Sequence, residues 1–245
     1  MKPTIIRIAF DAEFKHRSVY ERESWLKAWF DGHVLPVIKA MPDLRSVFGQ
    51  DFARRQDLSV IWVCQQQQDL SLSTPLVIEI RNCPFDQQKQ LLFAVCDHLP
   101  RWMAGALDAN GNGASQAEAA VQRYGTGRIA EVDMSHAWYR DYMPRLIARI
   151  EDATLALPRD ADVLADFRAI KKDKGVAKIP RDERQKGADK GTRHGDSAIA
   201  AALCVYAADV MEYSVIEYTP VPSKSSRWDS DDFDNDLPEY DQGCW

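Results

Sequence analysis

Three aspartates stand where an acid needs a reason. Asp51 interrupts the apolar run Val47-Phe48-Gly49-Gln50-Asp51-Phe52, and an ionised carboxylate there is costly unless it has a partner or a task. Asp108 follows the run Trp102–Leu107 and opens Asp108-Ala109-Asn110-Gly111-Asn112-Gly113, a strong turn signal. Asp196 opens a stretch in which Ala198, Ile199, Ala202, Leu203 and Tyr206 recur at helical spacing. Three carboxylates at one point repel one another and are stable only if a cation neutralises them or some protonate. An all-oxygen site of this kind suits Mg²⁺ or Mn²⁺. Two such ions about 4 Å apart activate a water, stabilise a leaving oxygen and clamp a phosphodiester. Plainer readings stand beside these. Asp108 makes an Asx turn, and Asp196 caps a helix. Other acids carry less: Asp57 caps a turn, Glu79 alternates within a strand and faces solvent, Asp133 marks a strand edge, and Asp160 and Asp162 start a helix.

A basic segment precedes Asp196. Lys171, Lys172, Lys174, Lys178, Arg181, Arg184, Lys186, Lys190 and Arg193 stand against four acids, a local charge of +5. It reads either as a solvated, mobile charge run or as a holder of the DNA backbone beside the metal ions. The whole 245-residue chain has a formal charge of −6, which by itself argues against gripping nucleic acid. That charge is unevenly placed. After Arg227 there are no bases and seven acids, so residues 1–228 carry about +1. The acidic tail is expected to compete with DNA for the basic loop.

Several function classes drop out. No apolar run approaches the length of a membrane span, and the N-terminus lacks the apolar core of a secretory signal. Five scattered cysteines without a CxxC pair fit a reduced, cytosolic compartment. The histidines have no zinc spacing, and no GxxxxGK[ST] phosphate loop occurs.

The elements that must position the acids follow from periodicity. Residues 1–45 read as a helical N-terminal extension. Val47–Phe52, Leu58–Cys64 and Pro75–Arg81 read as three antiparallel strands. A helix follows from Pro84 to Leu99, then a strand Trp102–Leu107, a helix to Tyr124, a strand Arg128–Met134 and a helix Trp138–Asp152. Thr154–Pro158 and Val176–Pro180 read as short extended pieces that pair with each other, on either side of a helix Ala161–Lys171. A helix opens at Asp196, and Ser214–Val221 reads as a final strand. The order β-β-β-α-β-α-β-α predicts a five-stranded mixed α/β sheet with helices on both faces, the order of the ribonuclease H-like fold. In that sheet the first strand is central and the fourth lies beside it, so Asp51 and Asp108 end neighbouring strands. The expected division is 1–45, a domain over 46–221, and a disordered acidic tail over 222–245.

FGQDFARRQDLSVIWV, GALDANGNG with AEAAVQRYG, WYRDYMPRLIARIEDATLALPRDADVLADFRAI and RHGDSAIAAAL together resemble the nuclease domain of the large terminase subunit of Mu-like phages and prophages. The resemblance is collinear over about residues 44–210. It implies a metal-dependent endonuclease with two Mg²⁺ or Mn²⁺ ions, cutting viral DNA in the host cytoplasm when the head is filled. By position, Asp51, Asp108 and Asp196 match the family's acids, and Asn110 and His194 fall in its motifs. The implied partners are double-stranded DNA, the portal, the small terminase subunit and an ATPase motor. Terminases place that motor before the nuclease, and this sequence has no room for it; a separate gene product or a split remnant is the expectation. The competing readings are a non-catalytic docking or DNA-binding module and a resolvase or transposase of the same fold.

Overall fold

The computed structural model describes residues 2–52, 58–180 and 182–211, without the Asn112 side chain. Asp57, Arg181, the strand expected over Ser214–Val221 and the acidic tail lie outside the described residues.

The strands are β1 (Thr4–Ala9), β2 (Ser46–Asp51), β3 (Ser59–Gln66), β4 (Leu72–Arg81), β5 (Trp102–Asp108), β6 (Ile129–Val132) and β7 (Leu155–Ala156). They form one mixed sheet in the order β1-β4-β3-β2-β5-β6, with β7 pairing β4. The meander β2-β3-β4 is antiparallel, and β5 and β6 add in parallel beside β2. The five expected strands are present, with β2 central and β5 next to it.

Two expectations are corrected. The N-terminal segment is not helical throughout: β1 pairs in parallel with β4, Thr4 opposite Leu76 and Arg7 opposite Glu79. Together with β7 it makes the sheet seven-stranded rather than five-stranded. The segments around Thr154 and Val176 do not pair with each other. Leu155 pairs with Leu72, while β8 (Lys171–Asp173) and β9 (Val176–Lys178) form their own hairpin.

The helices are α1 (Val19–Trp29), α2 (Leu35–Lys39), α3 (Phe85–His98), α4 (Ala114–Tyr124), α5 (His136–Glu151), α6 (Ala161–Arg168) and α7 (Asp196–Asp209). Both faces of the sheet are covered, which is why its strands read as almost unbroken apolar runs. Val60, Trp62 and Cys64 of β3 point to one face, into a core shared with α5 and α7; Ile61 and Val63 point to the other, into a core shared with α1, α3 and α4. Helix α7 is buried all round, from Asp196 and Ser197 to Val205 and Ala207. Its one-sided pattern in the sequence understates this, because small Ala residues fill the remaining faces. Cys64, Cys83, Cys96 and Cys204 are buried free thiols. No helix among the described residues is long and apolar enough to cross a membrane.

Candidate active site

Strand register assembles the site. Gln50 of β2 pairs with Leu107 of the parallel β5, so Asp51 and Asp108 follow as the last residues of neighbouring strands. Asp51 pairs with Val60, Val60 with Glu79 and Glu79 with Arg7. On the other side Asp108 pairs with Val132. One cross-sheet row therefore reads Arg7, Glu79, Val60, Asp51, Asp108, Val132. Register partners share a face, and Val60 and Val132 lie in the core shared with α7. The row thus faces α7.

Helix α7 runs antiparallel to β2. A Cβ on Gly49 would stand 2.1 Å from the Ala200 carbonyl oxygen and 2.2 Å from the Cys204 nitrogen. Cys204 Sγ donates to the Val47 carbonyl at 3.7 Å. Only glycine permits this backbone approach. One helical turn advances about 5.4 Å and two strand residues about 6.7 Å. One turn before Ala200 and two residues beyond Gly49, the same step brings Asp196 to the Asp51 end of the row.

The electrostatics are those of carboxylates removed from water. Burial pushes the Asp108 carboxyl up; the Asn110 N–H, 2.9 Å from Oδ1, opposes this, and the Asp133 charge adds to it. That contact is an Asx turn, the plainer reading of Asp108. Gly113 packs this turn tightly: a Cβ there would lie 2.2 Å from the Asp108 carbonyl oxygen. Burial raises Asp196 to about 7, against the His194 N–H that donates to its Oδ2 at 2.8 Å and against the Arg193 charge; Asp166 pushes the same way as burial. Asp196 is the first residue of α7 rather than its cap, because Gly195 holds the cap position with φ 74°. Burial raises the Tyr139 phenol, and the charges of Asp51 and Asp108 add to the effect. Tyr139, on α5, thus feels both acids.

Tyr139 carries no signal in the sequence, and Asp133, there a strand edge, has a place at this end of the sheet as well. Asp133 follows β6, one strand beyond Asp108 and at the same sheet end. The Asn110 amide is satisfied when its nitrogen donates to Asp133 Oδ1 at 2.8 Å and its oxygen accepts from the Met134 N–H at 3.2 Å. The strand-end rule that singled out Asp51 and Asp108 applies equally to Asp133.

Glu79 and Arg193 require correction. Glu79 does not face solvent; it is 2% exposed. Arg193 is no surface contact for DNA. It is also 2% exposed and holds Glu79 Oε1 at 2.9 Å and Asp166 Oδ2 at 2.7 Å. The segment around it is not a loose charge run. It forms a hairpin, β10 (Gln185–Lys186) with β11 (Thr192–Arg193). Arg81 pairs with Asp189 and donates to the Thr192 carbonyl at 2.8 Å, and the Ala188 N–H donates to Asp162 at 3.1 Å. Lys172, Lys174, Arg184, Lys186 and Lys190 are exposed. Lys171 pairs with Glu183, and Lys178 with Asp173 at 2.6 Å.

The donor set of Asp51, Asp108 and Asp196 is chemically suited to a hard divalent cation, and the raised Asp108 and Asp196 carboxyls are groups that such a cation would ionise. Among the described residues, no three His, Cys, Asp or Glu side chains stand close enough together to hold a metal ion. The acids share one end of the sheet without closing on one point.

No protein-family model matches the chain. Over 239 residues, 96% of the chain, the sequence is 38% identical to the Mu-like prophage FluMu protein gp28 of Haemophilus influenzae. Over 246 aligned residues, 98% of the chain, it is 33% identical to the probable terminase, large subunit gp28 of Escherichia phage Mu. Along nearly its whole length the chain is thus similar to part of the Mu-like terminase large subunits. It spans about half the length of these curated relatives, 46% and 44% respectively. Its fold is that of terminase nuclease domains. The large terminase nuclease from thermophilic phage G20c, crystallised with bound magnesium, superposes with a TM-score of 0.50 at 18% identity, covering 67% of this chain and 82% of that one. A large terminase from another thermophilic bacteriophage, in complex with ATP-gamma-S, also superposes with a TM-score of 0.50, at 8% identity, covering 68% of this chain and 40% of that one.

Proposed function

We propose that this chain is the endonuclease part of a phage packaging terminase, hydrolysing phosphodiester bonds of double-stranded DNA with two Mg²⁺ or Mn²⁺ ions. The observation that carries the reading is the shared sheet end: Asp51 and Asp108 on neighbouring parallel strands, with Asp196 brought there by α7. Asp51, Asp108 and Asp196 would hold the ions, which supply a nucleophilic water and charge stabilisation at the scissile phosphate. The G20c nuclease that shares this fold binds magnesium.

The protein's own residues do the positioning. The Asn110 N–H orients Asp108, the His194 N–H orients Asp196, and Tyr139 lies within electrostatic reach of Asp51 and Asp108. Lys172, Lys174, Arg184, Lys186 and Lys190 offer exposed charge to the DNA backbone. In this reading the portal, the small subunit and an ATPase motor are partners, and the host cytoplasm is the place of action.

A second reading has an observation behind it. Because no three acids close on one point among the described residues, a non-catalytic docking or DNA-binding role competes with cleavage. Plasmid nicking with Mg²⁺ or Mn²⁺ separates the two. The wild type is expected to nick, and Asp51→Asn, Asp108→Asn and Asp196→Asn each to lose at least about a hundredfold in rate. Equal nicking by all four proteins would remove the assignment.

A further inference from the structure

We propose that Arg193 is a positioning residue for the strand-end carboxylates: it holds the first turn of α7, and Asp196 with it, against the sheet. This rests on the nuclease reading above and deepens it.

The Arg193 guanidinium makes two forks. Nη1 and Nη2 donate to Glu79 Oε2 and Oε1 at 3.1 and 2.9 Å. Nε and Nη2 donate to Asp166 Oδ1 and Oδ2 at 3.1 and 2.7 Å. Nη2 also reaches Ser197 Oγ at 3.0 Å. One planar group thereby ties β4, α6 and α7 together, a geometry that a lysine ammonium cannot reproduce.

The tie matters most at the start of α7. A helix leaves its first amides without internal partners, and the Gly195 cap position has no side-chain acceptor. The Ser197 N–H instead donates to Asp166 Oδ2 at 3.1 Å, the oxygen that Arg193 also holds. Asp196 precedes that amide. Further along, α7 is fixed by its backbone contact with Gly49. The first turn depends on Asp166, and Asp166 is buried as a carboxylate against Arg193. Arg7 supports the arrangement from the edge strand, its Nε 2.7 Å from Glu79 Oε2. Glu79 lies in the same cross-sheet row as Asp51 with Val60 between them, so the tie reaches the metal-binding end through adjacent strands.

The test uses the full chain and Arg193→Lys, which keeps the charge and loses the forks. Calorimetry with Mn²⁺ and no DNA is expected to show affinity lowered about tenfold or more, as for partners that orient metal ligands. Duplex DNA affinity across a salt series without divalent ions is expected to stay unchanged. Wild-type Mn²⁺ binding with an unaffected, folded variant overturns the positioning role alone. So does weaker DNA binding with a salt slope reduced by about 0.9, which would make Arg193 a phosphate contact. Wild type that takes up no Mn²⁺ at millimolar concentration overturns the metal reading, and this inference with it. Should Arg193→Lys fail to fold, Ser197→Ala removes the Nη2–Oγ link and the hydroxyl's 3.5 Å contact with Glu79 Oε1, leaving both forks in place. About threefold weaker Mn²⁺ binding is then expected, and unchanged binding overturns the role.

Discussion

Two groups of acids lie on the same face of one sheet, and they are built in opposite ways. Glu79 and Asp166 are almost fully buried and share the Arg193 guanidinium between them. Asp108 and Asp196 are held by backbone N–H groups of Asn110 and His194, and burial raises both carboxyls. The first group carries its own cation. Burial would lower the Arg193 pKa, but the hydrogen bonds and charges of Asp166 and Glu79 outweigh it and raise it. The second group has the charge deficit that an external cation would answer. A protein that wanted only stability would have paired or removed those acids, and the contrast separates structure from candidate chemistry more sharply than burial does.

Removing the cation of the first group and a charge of the second should therefore have opposite signs in the metal-free protein. Arg193→Ala takes the ion-pair partner from buried Asp166 and leaves buried Glu79 with Arg7 alone, and is expected to cost about 3–5 kcal/mol in urea unfolding. Asp196→Asn keeps an acceptor for the His194 N–H and relieves a buried charge, so it is expected to raise stability by about 1 kcal/mol at pH 8. Loss of stability in Asp196→Asn would place that residue with the structural acids.

Gly49→Ala probes the link between the groups. Its Cβ would collide with the α7 backbone at 2.1 Å. The helix must move away from β2, at an expected cost of about 1–3 kcal/mol, and Asp196 moves with it. Thermal melting and Mn²⁺ binding should both fall; retention of both would mean that α7 does not set the site.

A smaller effect lies in the hairpin. Burial alone would raise the Asp189 pKa, but Arg81 and the Gly191 N–H hold it below the ordinary carboxylate value. A lowered folded pKa contributes stability that is present above the unfolded value near about 4 and is lost as pH falls through the folded one. Hydrogen-exchange protection in residues 185–193, taken relative to the intrinsic rate at each pH, should fall below about pH 4, and Asp189→Asn should remove that step. A hairpin equally protected at all pH values would show that the Arg81 pair does not anchor it.

Local pattern carried the fold further than the site. The meander and the alternation after it were legible because strands buried on both faces read as apolar runs between turns. The edge strand Thr4–Ala9 was not, because its partner β4 lies some seventy residues away and its Arg7 looks like a surface charge until Glu79 is placed beside it. Glu79 and Arg193 each read as solvent-facing for the same reason: they bury one another across a separation of 114 residues. The hairpin looked mobile because it has almost no apolar residues; side-chain pairs with Arg81 and Asp162 anchor it instead. Asp51 and Asp108 were legible as acids ending apolar strands. Asp133 obeys the same rule but sits after a strand of only four residues.

The central claim is that the strand-end acids await divalent ions while the buried acids do not. Mn²⁺ titration calorimetry of the wild-type chain, Asp51→Asn and Asp108→Asn tests it most directly. Binding by the wild type at millimolar Mn²⁺ or below, lost in both variants, is the predicted result; no binding by the wild type, or binding that both variants retain, would contradict it.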